Sequence, residues 1–229
     1  MKKEYAIYLL DKTKEDYNLI ADDFSRTRNK NWEELNFLAK NVVTNTRILD
    51  LGCGNGRLYE LFKDKIVSYC GIDISEKLIE IAQERYPGVM FRVGDALNLP
   101  FSDNFFDKAF GVAVFHHIPS KEFRLRFLSE AKRVLKPKGQ LFLTVWYLPP
   151  GKKILLIIKN LLLKIIGLSK LDLGDSFVDW GDKTRRYVHY FSQSEFRDLV
   201  ERSGLRVKEV AILKRPKGEE SNIALVATK

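Results

Sequence analysis

Residues 46–56 read TRILDLGCGNG, and this stretch decides the fold class. The apolar run at 47–51 has the length and composition of a short buried strand, and glycines follow at 52, 54 and 56. A strand that runs directly into a glycine-rich turn is typical of the first β-α connection of a doubly wound sheet. The next segment, LYELFKDK (58–65), has helical spacing, so we predict a helix after the turn.

Strands and helices alternate downstream of this turn. Ser192 and Glu195 form a capping-box pattern for a helix that ends near Gly204. Such alternation implies parallel strands with right-handed crossovers, hence a doubly wound α/β sheet that closes with an antiparallel pair. The predicted strands are VSYCGID (67–73), VMFRVGD (89–95), FFDKAFGVAVF (105–115), QLFLTVWYL (140–148), LRVKEVAIL (205–213) and SNIALVAT (221–228), and the predicted helices are SEKLIEIAQERY (75–86) and KEFRLRFLSEAKRVLK (121–136).

Two segments lie outside this alternation. We expect one domain over residues 1–229, with residues 1–45 as a helical cover over the site and residues 149–190 as an insert on the substrate side. The insert carries eight Lys/Arg against four Asp, so an anionic ligand or surface is expected there.

The composition excludes several classes of protein. The chain has 229 residues, 45% hydrophobic and 30% charged, which is an ordinary globular balance. Its net charge of +9 favours an anionic partner, with nucleic acid first. The two cysteines and three histidines form no C-x-x-C or H-x-x-x-H pair, so neither a disulfide framework nor an autonomous zinc site is expected. No signal peptide or membrane-spanning run is recognised, and we expect a cytoplasmic protein.

The residues at the strand ends indicate the kind of ligand. The loop has Arg57 where a dinucleotide fingerprint has its third glycine, and no G-K-[ST] follows. Asp50, at the tip of the first strand, would repel a pyrophosphate, but it suits a positive amino group. Asp73, at the end of the second strand, can hold ribose hydroxyls. S-adenosylmethionine has a cationic amino-acid end, a ribose and no phosphate, so it is the predicted cofactor. The predicted cofactor-binding residues are Asp50, Gly52, Gly54, Asn55, Gly56, Asp73, Ile74, Asp95, Ala96, Leu97 and Val112.

The motifs ILDLGCGNG, GIDIS, GDALNLPF, FFDKAF and RVLKPKGQLFL, between Arg47 and Val145, resemble those of the class I S-adenosylmethionine-dependent methyltransferases. This resemblance implies a seven-stranded sheet with the last strand antiparallel, in agreement with the alternation above.

The flanking residues resemble a narrower family, the tRNA wobble-uridine carboxymethyl methyltransferases. The similar segments are 17–32, His116-His117, Val145-Trp146, 174–180 and 185–191. Asp179 and Val188 depart from that family's pattern. The resemblance implies that the carboxylate of 5-carboxymethyluridine in tRNA is methylated to its ester. It also implies a small zinc-containing activator subunit as a partner, and the predicted edge strand VMFRV could dock it.

The resemblance also implies which residues handle the acceptor. A carboxylate is ionised at neutral pH and needs no general base, so the site needs a cation and a platform for the base. Arg28 and Arg186 are candidates for holding the carboxylate or an adjacent phosphate. We expect His116, rather than its neighbour His117, to face the site, because neighbours on an extended chain point to opposite faces. The candidate catalytic residues are Arg28, His116, Arg186 and His189, and the candidate substrate-binding residues are Lys30, Trp146 and Tyr187.

The segment KKILLIIKNLLLKIIGLSKL (152–171) carries a competing signal. Lys152, Lys159 and Lys170 fall nearly on one helical line, and the other faces are rich in Leu and Ile. Such a helix can dock its apolar side on the core or a partner while its lysines meet solvent or RNA. It can also lie on an acidic membrane, being too short to span one. We favour docking over membrane contact.

Two other functions stay open. The chain could be a membrane-associated methyltransferase acting on a quinone or lipid, which would account for the apolar segment but not for Arg28 and Arg186. It could also be a non-catalytic, cofactor-binding scaffold subunit.

Overall fold

The computed structural model describes residues 1–28, 33–40, 42–214 and 222–229. Its α-helices are α1 (Lys3–Leu19), α2 (Ala21–Thr27), α3 (Phe37–Lys40), α4 (Glu76–Arg85), α5 (Lys121–Val134), α6 (Pro150–Ile165) and α7 (Gln193–Arg202). Its strands are β1 (Arg47–Leu51), β2 (Ser68–Asp73), β3 (Met90–Val93), β4 (Phe106–Val112), β5 (Leu135–Trp146), β6 (Asp175–Trp180), β7 (Thr184–His189), β8 (Arg206–Leu213) and β9 (Asn222–Thr228).

Seven strands form the main sheet, in the order β3-β2-β1-β4-β5-β9-β8. The strands from β3 to β5 are parallel, and β9 pairs antiparallel with both β5 and β8. The predicted fold class, a doubly wound seven-stranded sheet with its last strand antiparallel, is therefore confirmed. The order in which successive strands join the sheet reverses between β1 and β4, because β2 and β3 lie on one side of β1 and β4 and β5 lie on the other. Ligands of open α/β sheets bind at such a switch point.

Alternating side chains of the strands build the core on both sides of the sheet. Ile48 belongs to one buried apolar cluster, whereas its neighbour Leu49 belongs to another. Successive residues of a strand point to opposite faces, so the two clusters lie on opposite sides of the sheet. Both faces are covered, which is why β1 is an almost continuous apolar run.

Side-chain caps explain where the sheet-covering helices begin. Ser75 accepts a hydrogen bond from the backbone N–H of Leu78, and Ser120 accepts one from Phe123. The predicted capping box is present, because Ser192 accepts from the Glu195 N–H and Glu195 accepts from the Ser192 N–H. Each cap satisfies an N–H that the first helical turn leaves unpaired.

The segment after the glycine loop differs from the prediction. It forms a 3-10 helix, Arg57–Leu61, instead of an α-helix. Gly56 stands at its N-cap with φ +74° and offers no side-chain acceptor, so the first turn lacks the bond that stabilises α4 and α5 at their starts.

The insert consists of α6 and the antiparallel hairpin β6–β7. The hairpin lies against α1, where Asp16 accepts hydrogen bonds from Thr184 of β7 and Lys12 of its own helix, at 2.5 and 2.6 Å. The Met1 amino group also contacts Asp172, at 2.6 Å. The N-terminal segment and the insert are therefore tied to each other, although the assignment of the whole chain to one domain stays a prediction.

Candidate functional site

A cavity of about 220 Å³ opens at the carboxyl ends of the central strands. It is roofed by α1 and α2 and bounded on one side by the end of β5 and by β7. The predicted site residues that line it are Arg28, Asp50, Gly52, Gly54, Asn55, Asp73, Ile74, Asp95, Ala96, Val112, Trp146 and Arg186.

The glycine loop brings the backbone to the floor of this cavity. Gly52 has φ +67°, and a Cβ at this position would collide with the side chain of Val114. Gly56 also has positive φ, but it does not line the cavity and packs against Phe91 instead. The prediction that Gly56 contacts the cofactor is therefore not supported by its position, because the third glycine serves the turn into the 3-10 helix.

Asp73 is held in place by the glycine loop. One carboxylate oxygen accepts a hydrogen bond from the Gly54 N–H at 2.8 Å, and the other accepts from the Ser75 N–H at 2.9 Å. Burial raises the pKa of the Asp73 carboxyl, and the two N–H donors oppose that shift. Each oxygen keeps a lone pair, so this carboxylate can accept both hydroxyls of a ribose.

Asp50 lies at the end of β1 and is buried. It accepts a hydrogen bond from the Tyr69 hydroxyl at 2.5 Å. Burial raises the pKa of the Asp50 carboxyl to about 7, although the hydrogen bond from Tyr69 lowers it. A cationic ligand would favour the charged form of this group, because an opposite charge nearby lowers a carboxyl pKa.

Asp95 and its neighbours form the far wall. The Leu97 N–H donates to the Asp95 carboxylate at 2.7 Å, while the Leu97 side chain belongs to the core and does not line the cavity. The predicted contact of Leu97 with the cofactor stays a prediction. Three carboxylates and a glycine-lined floor suit a nucleoside with a positive charge, so the residues present fit S-adenosylmethionine.

Arg186 and Arg28 lie over the ring of Trp180, at the side of the cavity that β7 bounds. The Arg186 guanidinium is buried and lies over the rings of Trp180 and Trp146, at 4.6 and 5.4 Å from their centroids. It donates to the Tyr17 hydroxyl at 3.3 Å, and its Nε has no hydrogen-bond partner among the described residues. Arg28 lies over the same Trp180 ring, at 4.4 Å. Two cations therefore share one aromatic platform.

The two adjacent histidines have orientations opposite to those predicted. His117 lines the cavity, and His116 lies behind it, 4.7 Å from the ring of Trp146. Residues Phe115–His117 form a 3-10 turn, so the alternation of an extended chain does not apply. The Nδ1 of His117 donates to the Tyr187 carbonyl at 2.7 Å, and its Nε2 accepts from the Tyr17 hydroxyl at 2.8 Å. Burial lowers the pKa of His117 to about 3, so the ring is neutral.

His189 and Tyr187 are not at the cavity, contrary to the prediction. Both belong to a buried cluster around Asp175, which accepts from the Tyr187 hydroxyl and contacts His189 Nδ1, each at 2.7 Å. The second ring nitrogen of His189 lies 2.8 Å from Glu195. Arg186 points to the cavity, so its neighbour Tyr187 on the same strand points away from it. Lys30, the remaining predicted residue, lies outside the described residues.

Several cavity residues were missed at the level of sequence. Leu10, Thr13 and Tyr17 line the cavity from α1, and His117 lines it from the turn after β4. The first three have i, i+3, i+7 spacing, which places them on one face of a helix. That periodicity was the signal that could have found them.

Comparisons with known proteins agree with this architecture. Residues 49–143 match the family described as a methyltransferase domain. The chain is 25% identical to a SAM-dependent methyltransferase from Methanosarcina mazei, whose crystal structure superposes with a TM-score of 0.70 over 87% of this chain and 98% of that one. A methyltransferase solved in complex with the Haloferax volcanii Trm112 methyltransferase activator is 18% identical, with a TM-score of 0.69 over 94% of this chain and 96% of that one. That likeness concerns the fold alone.

Two curated relatives differ in what they methylate. The tRNA (carboxymethyluridine(34)-5-O)-methyltransferase of Arabidopsis thaliana is 37% identical over 57% of this chain, and the match spans 31% of the relative. The demethylmenaquinone methyltransferase of Thermotoga maritima is 36% identical over 66% of this chain and 65% of the relative. The chain thus spans only about a third of the length of the tRNA-modifying relative.

Proposed function

We propose, from the premise that this chain carries a class I S-adenosylmethionine-dependent methyltransferase domain, that it methylates tRNA on the carboxylate of 5-carboxymethyluridine at the wobble position. S-adenosylmethionine is the cofactor that the domain and its structural relatives imply, and when bound it supplies an electrophilic methyl group. The proposal about the acceptor goes further, and the acceptor side of the cavity supports it.

The observation that carries the proposal is the buried guanidinium of Arg186. Its Nε has no hydrogen-bond partner among the described residues, although the side chain is only 4% exposed. A buried donor without a partner costs about 1–3 kcal/mol, and more when it is charged. A ligand carboxylate would remove that cost through a charge-assisted hydrogen bond. Arg28, which also lies over the Trp180 ring, could hold the same carboxylate or a neighbouring phosphate.

The neutral His117 also favours a carboxylate acceptor. Both of its ring nitrogens are engaged, with Tyr17 and with the Tyr187 carbonyl, so it is poorly placed to remove a proton. A hydroxyl or amine acceptor would need a base, whereas a carboxylate is already ionised at neutral pH. Catalysis would then consist of alignment, which contributes up to roughly 7–11 kcal/mol in well-oriented reactions. Trp146 would provide a surface for the uracil ring.

Nucleoside mass spectrometry tests this proposal. We expect the methyl ester of 5-carboxymethyluridine to appear when tRNA that carries the carboxymethyl group is incubated with the protein and S-adenosylmethionine. The same tRNA without the carboxymethyl group serves as the substrate control. Methylation of another nucleoside, with the carboxymethyl group unchanged, would overturn the proposed acceptor.

An activator subunit is part of the proposal. The solved methyltransferase with the Trm112 activator suggests a partner of this type. In this chain β3 is an edge strand, and Met90 and Val93 on it are exposed. Edge strands offer unpaired backbone groups for a partner. We expect a small zinc-containing activator to bind there, and a Val93→Asp variant to lose it in co-purification while Ile66→Asp, an exposed site elsewhere, keeps it.

A quinone methyltransferase is the second candidate. The relative from Thermotoga maritima and the exposed apolar side of α6 both favour it. Labelled cofactor offered together with carboxymethylated tRNA and a demethylmenaquinone would separate the two candidates. Label in the quinone alone would reject tRNA as the substrate.

A further inference from the structure

Helix α6 turns its apolar side to solvent. Six Leu and Ile side chains of the helix and Ile166 at its C-cap, each between 44% and 72% exposed, fall within one arc of about 140° when plotted at about 100° per residue. A surface helix normally buries such an arc. We call these residues the α6 apolar face: Ile154, Leu155, Ile158, Leu161, Leu162, Ile165 and Ile166.

A polar residue anchors the opposite side of α6. Asn160 is the one buried residue of the helix, and its amide donates to the carbonyl oxygens of Asp172, Leu173 and Asp175 at 3.3, 3.0 and 2.8 Å. These bonds tie the helix to the turn before β6. The apolar face therefore points away from the core, which contradicts the expectation that it docks on the core. Docking on a partner, the other expectation, stays a prediction.

Lysines border the α6 apolar face along both edges. Lys152 and Lys159 follow one edge, and Lys153 and Lys164 follow the other, at about 100° per residue. Lys170, expected on the same helical line, lies beyond the end of α6. Residues 149–171 contain no Asp or Glu. Lys153 and Lys164 contact Glu195 and Asp172, at 3.3 and 3.7 Å.

Aromatic side chains of α1 line a surface groove together with Lys164 and Lys170. Tyr5 and Tyr8 of α1 stack at 5.8 Å, and Tyr8 is exposed. Lys170 lies 5.5 Å from the Tyr5 ring. Tyrosine and lysine beside an apolar face are typical of helices that lie at the interface between lipid and water.

We propose that the α6 apolar face binds the surface of an anionic phospholipid bilayer, with the helix parallel to the membrane plane. The apolar arc would enter the acyl boundary, while the long stems of Lys152 and Lys159 let their ammonium groups reach the lipid phosphates. A second copy of this chain would bring two lysine-bordered faces together, and like charges would oppose it. RNA would engage the lysines but would leave the Leu and Ile side chains in water.

The helix lies on the membrane and does not cross it. Among the described residues, no helix is long and apolar enough to span a bilayer. The interaction is independent of the proposed acceptor, since it concerns a surface and not the cavity. It would bring the cavity close to a membrane whether the acceptor is tRNA or a quinone.

Flotation of the full chain with lipid vesicles tests the proposal. We expect binding to vesicles of phosphatidylcholine mixed with phosphatidylglycerol, weaker binding to phosphatidylcholine alone, and a loss of binding as salt rises. The variant Leu155→Asp/Leu162→Asp should lower the partition coefficient at least about tenfold. The matched control Val43→Asp/Ile66→Asp changes two equally exposed apolar residues elsewhere and should bind like the parent.

Substitution of a pair of lysines measures the electrostatic contribution to vesicle binding separately from the apolar contribution. Lys152→Gln/Lys159→Gln should lower binding to anionic vesicles by about 25-fold, or about fivefold for each lysine near the surface. Lys77→Gln/Lys208→Gln removes the same charge from α4 and β8 and should have much less effect. If the two lysine pairs lowered vesicle binding equally, the attraction would come from the net charge of the whole protein. That result would overturn the proposed surface.

Two further results would reject the proposal. One is that the parent chain floats with none of the vesicles. The other is self-association, measured by analytical ultracentrifugation without lipid, that Leu155→Asp/Leu162→Asp abolishes, because the occupant of the face would then be a second copy. Retained cofactor binding in each variant, measured by calorimetry, shows that the fold is intact.

Discussion

The two halves of the cavity are built in different ways. The cofactor half consists of strand ends and backbone N–H groups between Asp50 and Val112, where the sheet itself sets the positions. The half that we propose for the acceptor, the acceptor half, joins Tyr17 to Arg186, which are 169 residues apart, through a hydrogen bond between their side chains. The first half therefore follows from topology, whereas the second depends on how α1, β5 and the β6–β7 hairpin pack together.

The acceptor half also depends on a buried polar cluster behind it. Asp175 contacts Tyr187 and His189 of the hairpin and Arg124 of α5. These residues hold β7 in register, and Arg186 lies on that strand. This difference between the two halves predicts that substitutions in the cofactor half alter cofactor affinity, and that substitutions in the acceptor half alter turnover.

The largest expected effect is that of Asp73→Ala. Removing the carboxylate deletes the acceptor for the ribose hydroxyls and leaves the Gly54 and Ser75 N–H groups without their partner. Cofactor affinity should fall by about 100-fold or more, because hydrogen bonds to charged groups contribute roughly 1.5–3 kcal/mol each. Isothermal titration calorimetry measures this, and Asp103→Ala, an exposed carboxylate, is the control. Unchanged affinity would contradict the assigned cofactor half.

Arg186→Ala should separate the two halves. We expect the kcat/KM for carboxymethylated tRNA to fall by about 100-fold, the effect of losing a bidentate cation, while cofactor affinity changes less than about twofold. Arg185→Ala is the matched control on the same strand, because Arg185 is exposed and pairs with Asp179. A loss of cofactor affinity in Arg186→Ala would mean that the two halves are not separate.

The pKa of Asp50, raised to about 7 by burial, predicts a pH dependence of cofactor binding. The ionised carboxylate attracts the amino group, so affinity should be full above pH 7 and fall by up to about tenfold per pH unit below it. Removing the Tyr69 hydroxyl should raise the pKa of Asp50 further, so Tyr69→Phe should shift this fall to higher pH. Calorimetry from pH 5.5 to 8.5 checks both, and a flat profile would exclude Asp50 as the amine-binding group.

The same raised pKa predicts the sign of the stability change. The folded protein holds the Asp50 proton more tightly than the unfolded chain does, so this stabilisation is present at acidic pH and is lost as pH rises through about 7. Asp50→Asn should remove that dependence, as measured by urea unfolding without cofactor.

The smallest expected effect is that of Tyr187→Phe. This change removes the hydroxyl that Asp175 and Arg124 contact, at 2.7 and 3.0 Å, and the free energy of unfolding should fall by about 1–2 kcal/mol. Because Tyr187 does not line the cavity, KM for tRNA should stay within about twofold. Tyr8→Phe, at an exposed tyrosine, should leave stability unchanged. A large rise in KM would mean that Tyr187 belongs to the acceptor half.

The predicted site residues of the two halves also differ in how well the sequence could place them. Asp50, Asp73 and Asp95 could be predicted because each lies at or just after the end of a recognisable strand, and parallel strands end at one edge of the sheet. The side facing the cavity could not be predicted for His116 and His117, since a 3-10 turn replaces the extended chain there. His189 satisfied the pattern of a site residue, but Asp175 and Glu195 engage both of its nitrogens.

The sequence by itself determined that strands and helices alternate in a doubly wound sheet, and that the glycine turn forms the floor of the cavity. Strand periodicity, helix caps and glycine turns depend on residues that are close together in the sequence, so they can be recognised without the tertiary structure. Only the tertiary structure decided which side chains line the proposed acceptor half, and that the apolar side of α6 meets solvent. Both depend on contacts between distant segments, such as Tyr17 with Arg186 and Asn160 with the turn before β6. Periodicity shows that a helix has an apolar side, but the bonds on its opposite side decide where that side points.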